Sequence, residues 1–416
     1  MDASRLSVNK TRLWSRLMDM ATIGEIPLQG SRRLALSSDD QRGRDLFLSW
    51  VEDRGFSHVH DQIGNLFVRR EGRDKAAKPL VMGSHLDTQP NGGRFDGVVG
   101  VLAGFEVLET LEDHSIETAQ PIEVAVWTNE EGARFHPAMM GSGVHCGIQS
   151  LDEALATEDM AGISVRDELR KNGYLDGLSP GSHAIDKYIE LHIEQGPVLE
   201  DHNKTIGIVT GGQGIRWYEL TILGDETHAG PVPMDRRRDP TPILARIIDL
   251  VQAVGHTDEQ ARSTIGRIEA APGSMNVVPG RISISVDLRH PDDDVLSAMH
   301  DWLQSGIVTL NENQKGVQTN CRAIWHSPAV HFDTALIALA RERVGVRGYP
   351  SLDIVSGAGH DAFNLARIVP TTMVFVPCRD GISHNEREYA EPEHVSAGTN
   401  VLLDMVLALA LRASRP

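Results

Sequence analysis

The chain has 416 residues, a length that predicts two domains at roughly 100–200 residues per domain. Its 40 Lys and Arg residues against 58 Asp and Glu residues give a formal charge of −18, so it lacks the basic surface that neutralises phosphates. Aromatic residues make up only 5%, which is few for a protein that stacks bases. We therefore expect no nucleic-acid partner.

The cysteines and the apolar runs predict a cytoplasmic protein that is not bound to a membrane. Cys146, Cys321 and Cys378 are odd in number and far apart, which argues against a disulfide framework. The N-terminal stretch MDASRLSVNKTRLWSRL has no apolar secretion signal. The late apolar run 401–411 contains Asp404 and is far shorter than the roughly 20 residues that cross a bilayer.

Short apolar runs that end abruptly in polar residues predict the strands of a buried sheet. They occupy residues 80–82, 122–127, 188–193 and 372–377, with periodic helical stretches at 100–111 and 334–344. This alternation predicts an α/β domain with a mixed sheet and helices on both faces. Polar residues follow the strand ends, where ligands bind in open α/β sheets.

A change in the pattern of predicted strands and helices after Gly211 predicts an inserted domain. Glycines at 211, 212 and 214 precede an alternating strand at 217–223, a helix at 241–254, a strand at 281–289 and a helix near 295–307. This order predicts a compact α+β unit at residues 212–327. The catalytic domain is then discontinuous and comprises residues 1–211 plus 328–416.

The first chemical motif, GSHLDTQPNGGRFDG, follows the strand at 80–82. His85 and Asp87 are two residues apart and share a face if the chain is extended, so one can bind metal while the other orients it. Glycines in the motif allow a tight turn that returns Asp96 to His85. A polar turn capped by Asp is the alternative interpretation.

The second motif, WTNEEGARF, places Glu130 and Glu131 after an almost purely apolar strand. Two buried acids are costly unless a cation compensates them. Successive side chains point in different directions, which suits one carboxylate that ligates metal and one that moves protons. A solvated acidic loop is the alternative.

The third and fourth motifs, LHIEQGPVLE and GISHNE, supply His192 and His384 at further strand ends. Together the four motifs form a set of imidazole and carboxylate ligands that suits zinc or similar divalent ions without a thiolate. Five ligands are too many for one tetrahedral zinc, but they suit two ions about 3.5–4 Å apart that share a carboxylate. These predicted metal ligands are His85, Asp96, Glu131, His192 and His384.

With HAGPVPMDRRRD, NVVPGRISISVDLR and SGAGHDA, these motifs form an ordered series along nearly the whole chain. The series resembles that of binuclear-metal amidohydrolases related to aminoacylases and zinc carboxypeptidases. Within that group it most resembles N-carbamoyl-L-amino-acid hydrolases, β-ureidopropionases and allantoate amidohydrolases. The resemblance implies two divalent ions per subunit, with zinc favoured and manganese, cobalt or nickel as alternatives. It also implies a homodimer whose inserted domain serves as lid and dimerisation domain.

The resemblance also implies a role for each motif residue. Asp96 bridges the metals and Glu130 is the general base, with Asp87 as the outer partner of His85. His228 donates to the developing oxyanion, and the substrate-binding residues are Gln195, Asn276 and Arg289. Spacing alone leaves open whether His228 only closes a turn and whether Arg289 only forms a surface ion pair.

The implied reaction is hydrolysis of the ureido C–N bond of an N-carbamoyl-L-amino acid, which gives the amino acid, carbon dioxide and ammonia. Allantoate or another ureido acid is the alternative substrate. An N-acyl amino acid deacylase or aminopeptidase is a more distant alternative, and a metal-binding protein without catalysis is an alternative from another class. The pair His360 and Asp361 receives no role.

Overall fold

The computed structural model describes residues 6–312 and 316–411. Residues 1–5 and 412–416, which the sequence analysis assigned to the catalytic domain, lie outside the described residues. The helices are α1 (Lys10–Ala21), α2 (Ser38–Asp53), α3 (Val98–Asp113), α4 (Met140–His145), α5 (Leu151–Ala156), α6 (Val165–Lys171), α7 (Val198–Asp201), α8 (Thr241–Gly255), α9 (Asp293–Glu312), α10 (Thr334–Arg347), α11 (Asp361–Leu365) and α12 (Pro392–Ala410).

The strands are β1 (Glu25–Ile26), β2 (Gly30–Ser31), β3 (Ser57–His60), β4 (Leu66–Arg70), β5 (Leu80–His85), β6 (Ile122–Trp127), β7 (Lys187–Ile193), β8 (Ile206–Gly212), β9 (Gly214–Leu223), β10 (Thr227–His228), β11 (Arg262–Ala271), β12 (Val277–Val278), β13 (Arg281–His290), β14 (Gln318–Ser327), β15 (Val330–His331), β16 (Ser351–Ser356) and β17 (Thr371–Val376). The chain divides into two compact units. The first comprises Met1–Gly211 and His331–Pro416, and the second is Gly212–Val330. The second junction therefore lies at residue 330, compared with the expected 327.

The first unit is built on a mixed sheet with the strand order β15, β8, β17, β7, β5, β6, β4 and β3, and with β16 beside β8. The central strands β17, β7, β5 and β6 are parallel, whereas β8, β4 and β3 pair antiparallel with their neighbours. Every residue of β5, β6 and β17 is buried. Strands covered on both faces need no polar alternation, which explains the nearly unbroken apolar runs. The predicted α/β class with a mixed sheet is confirmed.

Helices cover this sheet in two layers. In one layer α3 packs against β5, β6 and β7 and contacts α1 and α12, and α10 packs on α12. In the other layer α11 packs against β7 and β17 and contacts α4, which leads to α5 and α6. Helix α3 is buried on nearly all sides, which explains why its sequence is apolar on every face. Among the described residues, no helix combines the length and apolar content needed to span a membrane.

Two fully buried arginines support the loops that leave β5 and β6. Nε of Arg33 donates to the main-chain oxygen of Leu86 over 3.1 Å, and the main-chain nitrogen of Arg33 donates to Oγ1 of Thr88 over 2.8 Å. Arg44 donates to Oγ1 of Thr128 over 3.2 Å. Guanidinium groups can tie several loop oxygens together because each carries five N–H donors in a fixed fork. These bonds fix the strand ends that carry the first two chemical motifs.

The second unit has a four-stranded antiparallel sheet in the order β11, β13, β9 and β14. Helices α8 and α9 pack on it around an apolar core that includes Tyr218, Ile247 and Ile284. The predicted order of strand, helix, strand and helix was wrong because it omitted β11 and β14. Both are edge strands whose residues are mostly exposed, so they lack the apolar alternation by which a half-buried strand is found.

Candidate metal centre and substrate-binding residues

Four parallel strands carry the predicted metal ligands to one edge of the sheet. His85 is the last residue of β5, and His192 lies near the end of β7. Register pairs His85 with Trp127 of β6 and His192 with Phe375 of β17, so all four strands end at the same level. The loops after β5, β6 and β17 then supply the remaining ligands, Asp96, Glu131 and His384.

The five predicted ligands form two groups that share Asp96. In the first group, Nε2 of His85 and Nε2 of His192 lie 3.7 Å and 3.2 Å from Oδ1 of Asp96. In the second group, Nε2 of His384 lies 3.3 Å from Oδ2 of Asp96 and 3.2 Å from Oε2 of Glu131. Asp96 thus presents one oxygen to each group, which is the arrangement a bridging carboxylate requires.

Main-chain carbonyl groups set the orientation of two ligand rings. Nδ1 of His85 lies 2.9 Å from the oxygen of Asp87, and Nδ1 of His192 lies 2.9 Å from the oxygen of Ile193. A carbonyl oxygen only accepts, so in the neutral form of both rings Nδ1 carries the proton and Nε2 has the lone pair. A ring held in this way is ready to ligate a metal through Nε2.

Asp87 does not meet His85 as the sequence suggested. Its Oδ1 is 3.9 Å from Nδ1 of His85, while its two oxygens accept the main-chain N–H groups of Glu130 and Glu131, each over 3.3 Å. The expectation assumed an extended chain, but β5 ends at His85 and Asp87 lies beyond the strand. The Asp87 carboxylate therefore fixes the backbone of the two glutamates, and its main chain orients the histidine.

Glu130 is buried beside the first group without being a member of it. Its Oε2 lies 3.4 Å from Nε2 of His85. Burial, and then the nearby charges of Asp361 and Glu131, raise the pKa of Glu130 well above its ordinary value. A raised pKa makes a carboxylate a stronger base, which suits a group that accepts a proton and later returns it.

The charges in the two ligand groups favour a bound cation. Burial opposes ionisation of Asp96, yet hydrogen bonds with His192 and His384 lower its pKa well below the ordinary value. Burial likewise opposes the charged form of His192, but the hydrogen bond with Asp96 raises its pKa to about 9. Hydrogen bonds with Asp96 and Glu131 raise the pKa of His384 to about 10. The carboxylates thus hold positive charge at the place where a divalent ion would supply it.

Two glycines let other groups approach closely. Gly97 has a φ of +69°, and a Cβ atom there would lie 2.3 Å from Cε1 of His85. At Gly93 a Cβ atom would lie 2.2 Å from Cδ of Glu388. Separations below 3.0 Å are not tolerated, so both positions exclude a side chain. The glycines predicted to permit a tight turn also leave room for other side chains: Gly97 for the His85 ring and Gly93 for the Glu388 carboxylate.

Glu388 is a structural element of the site that the sequence did not reveal. Its Oε1 accepts the main-chain N–H groups of Phe95 and Asp96 over 2.9 Å and 3.1 Å, and the residue is only 2% exposed. The hydroxyl of Ser383 lies 2.9 Å from both Oε2 of Glu388 and Oδ2 of Asp96. The only sequence signal is its position four residues after His384, where an acidic residue looks no different from a surface one.

Gln195 also lies against the bridge. Its Nε2 donates to Oδ2 of Asp96 over 2.9 Å, and its Oε1 is buried without a hydrogen-bond partner among the described residues. The residue was predicted to bind substrate beside the metals. Its amide oxygen is the part left to accept a bond, because its amide nitrogen is engaged with Asp96.

His360, to which the sequence assigned no role, packs behind His192. The ring centroids are 4.5 Å apart, and His360 forms a further candidate group with Glu190 and His192. Burial, and then the neighbouring charge of His192, lower the pKa of His360 well below its ordinary value. It therefore stays neutral and supports the His192 ring from behind.

The predicted substrate residues His228 and Asn276 are neighbours within the second unit. Strand β10 pairs with β12, and the N–H of Ala229 donates to the main-chain oxygen of Asn276 over 2.9 Å. Both side chains are exposed. Arg289 lies near the end of β13, where Nη2 donates to Oδ2 of Asp287 over 2.8 Å. The backbone pairing thus brings the segments of His228 and Asn276 together, and Arg289 is held by an acidic neighbour on its own strand.

Comparison with known proteins gives the family. The model of peptidase family M20/M25/M40 matches residues 81–408, a span that contains every predicted metal ligand. The chain belongs to this family. It is therefore a hydrolase, and members of this family generally depend on a binuclear metal centre.

Several relatives of the chain are amidohydrolases by name. The chain is 44% identical over 404 residues to the N-carbamoyl-L-amino-acid amidohydrolase of Rhizobium meliloti, covering 97% of each chain. It is 33% identical over 415 residues to the allantoate amidohydrolase of Bacillus subtilis, covering 99% of this chain and 100% of the relative. Among solved structures, an amidase of the hydantoinase/carbamoylase family from Burkholderia multivorans is 48% identical, with a TM-score of 0.93 and coverage of 98% and 99%. The predicted family membership is confirmed.

Proposed function

We propose that this M20 hydrolase cleaves the ureido C–N bond of an N-carbamoyl-L-amino acid and releases the amino acid, carbon dioxide and ammonia. The observation that carries the proposal is the buried Glu130 carboxylate, 3.4 Å from His85 beside two ligand groups that share Asp96. This arrangement suits hydrolysis of an amide-like bond by an activated water. The name of the Rhizobium meliloti relative supports the choice of ureido acid.

The donor set fits two divalent cations. His85, Asp96 and His192 would hold the first, and Asp96, Glu131 and His384 the second. Imidazole and carboxylate donors suit zinc first, and manganese, cobalt and nickel also accept them. When bound, two such ions lower the pKa of a coordinated water and polarise the substrate carbonyl.

Glu130 performs the proton transfers in this proposal. Its Oε2 accepts a proton from the attacking water and then gives that proton to the nitrogen of the leaving amino acid. The raised pKa of Glu130 lets it hold the proton between the two transfers. Asp87 contributes by fixing the backbone of Glu130 and Glu131. The carbamic acid that leaves breaks down to carbon dioxide and ammonia.

Residues of the second unit recognise the substrate in this proposal. The guanidinium of Arg289 grips the substrate carboxylate through two parallel hydrogen bonds, which Lys cannot reproduce. Asn276 donates to the same carboxylate, and His228 donates to the oxyanion that develops on the ureido carbon. Gln195, held on Asp96, places its free amide oxygen where it can accept from the ureido nitrogen.

We also propose that the protein is a cytoplasmic homodimer. The three cysteines are free in the structure, which suits a reducing compartment. Light scattering coupled to gel filtration tests whether the protein is a homodimer. A mass of twice 45.6 kDa supports the homodimer, and a mass of 45.6 kDa contradicts it.

Allantoate is the second candidate substrate. The relative from Bacillus subtilis is named for this activity and aligns with 99% of the chain. Allantoate carries the same combination of ureido group and carboxylate, so the same residues could bind it. The two candidates differ in what occupies the space of the amino-acid side chain.

An ammonia-release assay separates the candidates. The substrates are a series of N-carbamoyl-L-amino acids with their D-forms, β-ureidopropionate, allantoate and N-acetyl amino acids. Each is tested with protein that has been stripped by a chelator and reloaded with zinc, manganese, cobalt or nickel. The proposal expects the highest kcat/KM for an N-carbamoyl-L-amino acid, and no turnover by stripped protein. A higher value for allantoate favours the second candidate, and hydrolysis of N-acetyl substrates alone overturns both.

A further inference from the structure

Arg237 differs from the two arginines beside it. Arg236 and Arg238 are exposed, whereas Arg237 is half-buried. Its Nη2 donates to the main-chain oxygen of Ala229 over 2.5 Å, and its Nε donates to that of Val232 over 3.0 Å. One guanidinium therefore ties together both ends of the turn at residues 229–232, which follows β10.

The turn held by Arg237 contacts the His228 ring. Gly230 lies between the two carbonyl groups that Arg237 binds, and its N–H donates to Nδ1 of His228 over 3.0 Å. In a neutral imidazole one nitrogen accepts and the other carries the proton. Because Nδ1 accepts here, the proton of neutral His228 lies on Nε2. The exposed end of the ring is therefore a hydrogen-bond donor.

The neighbouring Asn276 is arranged in the same sense. The hydroxyl of Ser274 donates to Oδ1 of Asn276 over 2.8 Å, which leaves the Nδ2 amide group to donate outward. The N–H of Ala229 donates to the main-chain oxygen of Asn276, so the turn and Asn276 are tied to each other. His228 and Asn276 thus each keep one side-chain donor group of the kind that recognises a carboxylate or carbonyl oxygen.

We propose that Arg237 is a positioning residue that fixes His228 as an Nε2–H donor by holding the turn at residues 229–232. Arg237 acts only through the turn, and it does not touch the substrate. The use of this donor in catalysis rests on the proposed function, but the tautomer itself does not. Without the guanidinium, the Gly230 N–H is free to leave Nδ1, and His228 then populates both neutral tautomers.

The tautomer can be measured directly. Protein labelled with ¹⁵N-histidine gives side-chain NMR signals in which protonated and unprotonated ring nitrogens differ, and His228→Gln identifies the signals of His228 by their loss. At a pH where the ring is neutral, the wild type is expected to show an unprotonated Nδ1 and a protonated Nε2. Arg237→Ala is expected to show averaging of the two nitrogens, and Arg236→Ala is the matched control with the wild-type pattern. A single Nε2–H tautomer in Arg237→Ala overturns the inference.

Kinetics provide the second measurement. Loss of one oxyanion donor lowers kcat by about 10²–10³-fold, so misplacement of the donor in Arg237→Ala is expected to lower kcat by at least about 10-fold with little change in KM. Added guanidinium ion is expected to restore part of kcat in Arg237→Ala and none in His228→Gln. Arg237→Lys, which keeps the charge but not the fork, provides a folded variant if Arg237→Ala is unstable, and is expected to be intermediate. An equal loss of kcat in Arg236→Ala overturns the inference, because surface charge would then explain both effects.

The two proposals fail in different ways. If the wild type hydrolyses no ureido acid but its His228 tautomer depends on Arg237, the proposed function is wrong and the positioning role stands. If ureido acids are hydrolysed and Arg237→Ala keeps both the wild-type tautomer and the wild-type kcat, the positioning role is wrong and the proposed function stands.

Discussion

The main-chain nitrogen of Asp96 donates to Oε1 of Glu388 over 3.1 Å, and the side chains of these two residues share the hydroxyl of Ser383. Glu388 thus holds both the backbone and the carboxylate of the residue common to the two ligand groups. Outer partners of this kind hold a ligand in place before the metal binds. A ligand that must first be ordered lowers the affinity for the metal.

We expect Glu388→Ala to weaken metal binding by about 10–100-fold, which is typical for loss of an outer partner. The variant leaves two main-chain N–H groups without their acceptor and removes one of the two acceptors of the Ser383 hydroxyl, so Asp96 can rotate away from one group. Chelator competition measures the affinity. Arg387→Ala, an exposed residue of the same loop, is the control and should bind metal as the wild type does. Unchanged affinity in Glu388→Ala would contradict the role given to this carboxylate.

Glu130→Gln should lower kcat by about 10²–10⁴-fold while both metals remain bound, because an amide cannot accept the proton of the attacking water. Glu131→Gln provides the contrast, since Glu131 belongs to the second ligand group and its variant should lose metal. Elemental analysis of the purified variants and turnover of the best substrate give both quantities. Metal loss from Glu130→Gln equal to that from Glu131→Gln would show that Glu130 is a ligand.

Gly97→Ala should abolish metal binding because a Cβ atom would lie 2.3 Å from the His85 ring at a φ of +69°. Gly55→Ala is the control that separates backbone strain from the steric collision. Gly55 also has a positive φ, +70°, but a Cβ atom there would meet no other atom within 4 Å. That control should lose only about 1–2 kcal/mol of unfolding free energy and keep its metals. Thermal unfolding and metal content measure the two effects. Metal retained in Gly97→Ala would mean that the His85 ring can move aside.

The metal-free protein should lose stability as pH rises from about 6.5 to 10. The pKa values of His192 and His384 are raised to about 9 and about 10 in the folded chain, compared with about 6.5 for an unfolded histidine. Their protonation therefore stabilises the fold fully below pH 6.5, and this contribution disappears as each group deprotonates. Melting curves at several pH values measure it. His384→Gln should show a smaller decline, and an equal decline in both would refute the linkage.

The sequence predicted those parts of the molecule in which burial is uniform. Strand β6 was predicted at its observed residues, 122–127, because all six are buried and all but Glu123 are apolar. The edge strand β14 was missed because most of its side chains are exposed. Glu388 was missed for a different reason: its partners Phe95 and Asp96 are distant in sequence, and only the folded chain brings them together. The predicted contact of the Asp87 side chain with His85 was wrong because β5 ends at His85, before Asp87.

The position of β17 orders the assembly of the centre during synthesis. This strand lies between β7 and β8, which are both made before the second unit, although β17 itself is made after it. His85, Asp96 and His192 are therefore complete on the nascent chain before His384 leaves the ribosome. Until β17 is inserted, β7 and β8 expose open edges that can pair with other chains. The C-terminal segment supplies both His384 and Glu388, which holds Asp96, so the two ligand groups are completed only when β17 closes the sheet.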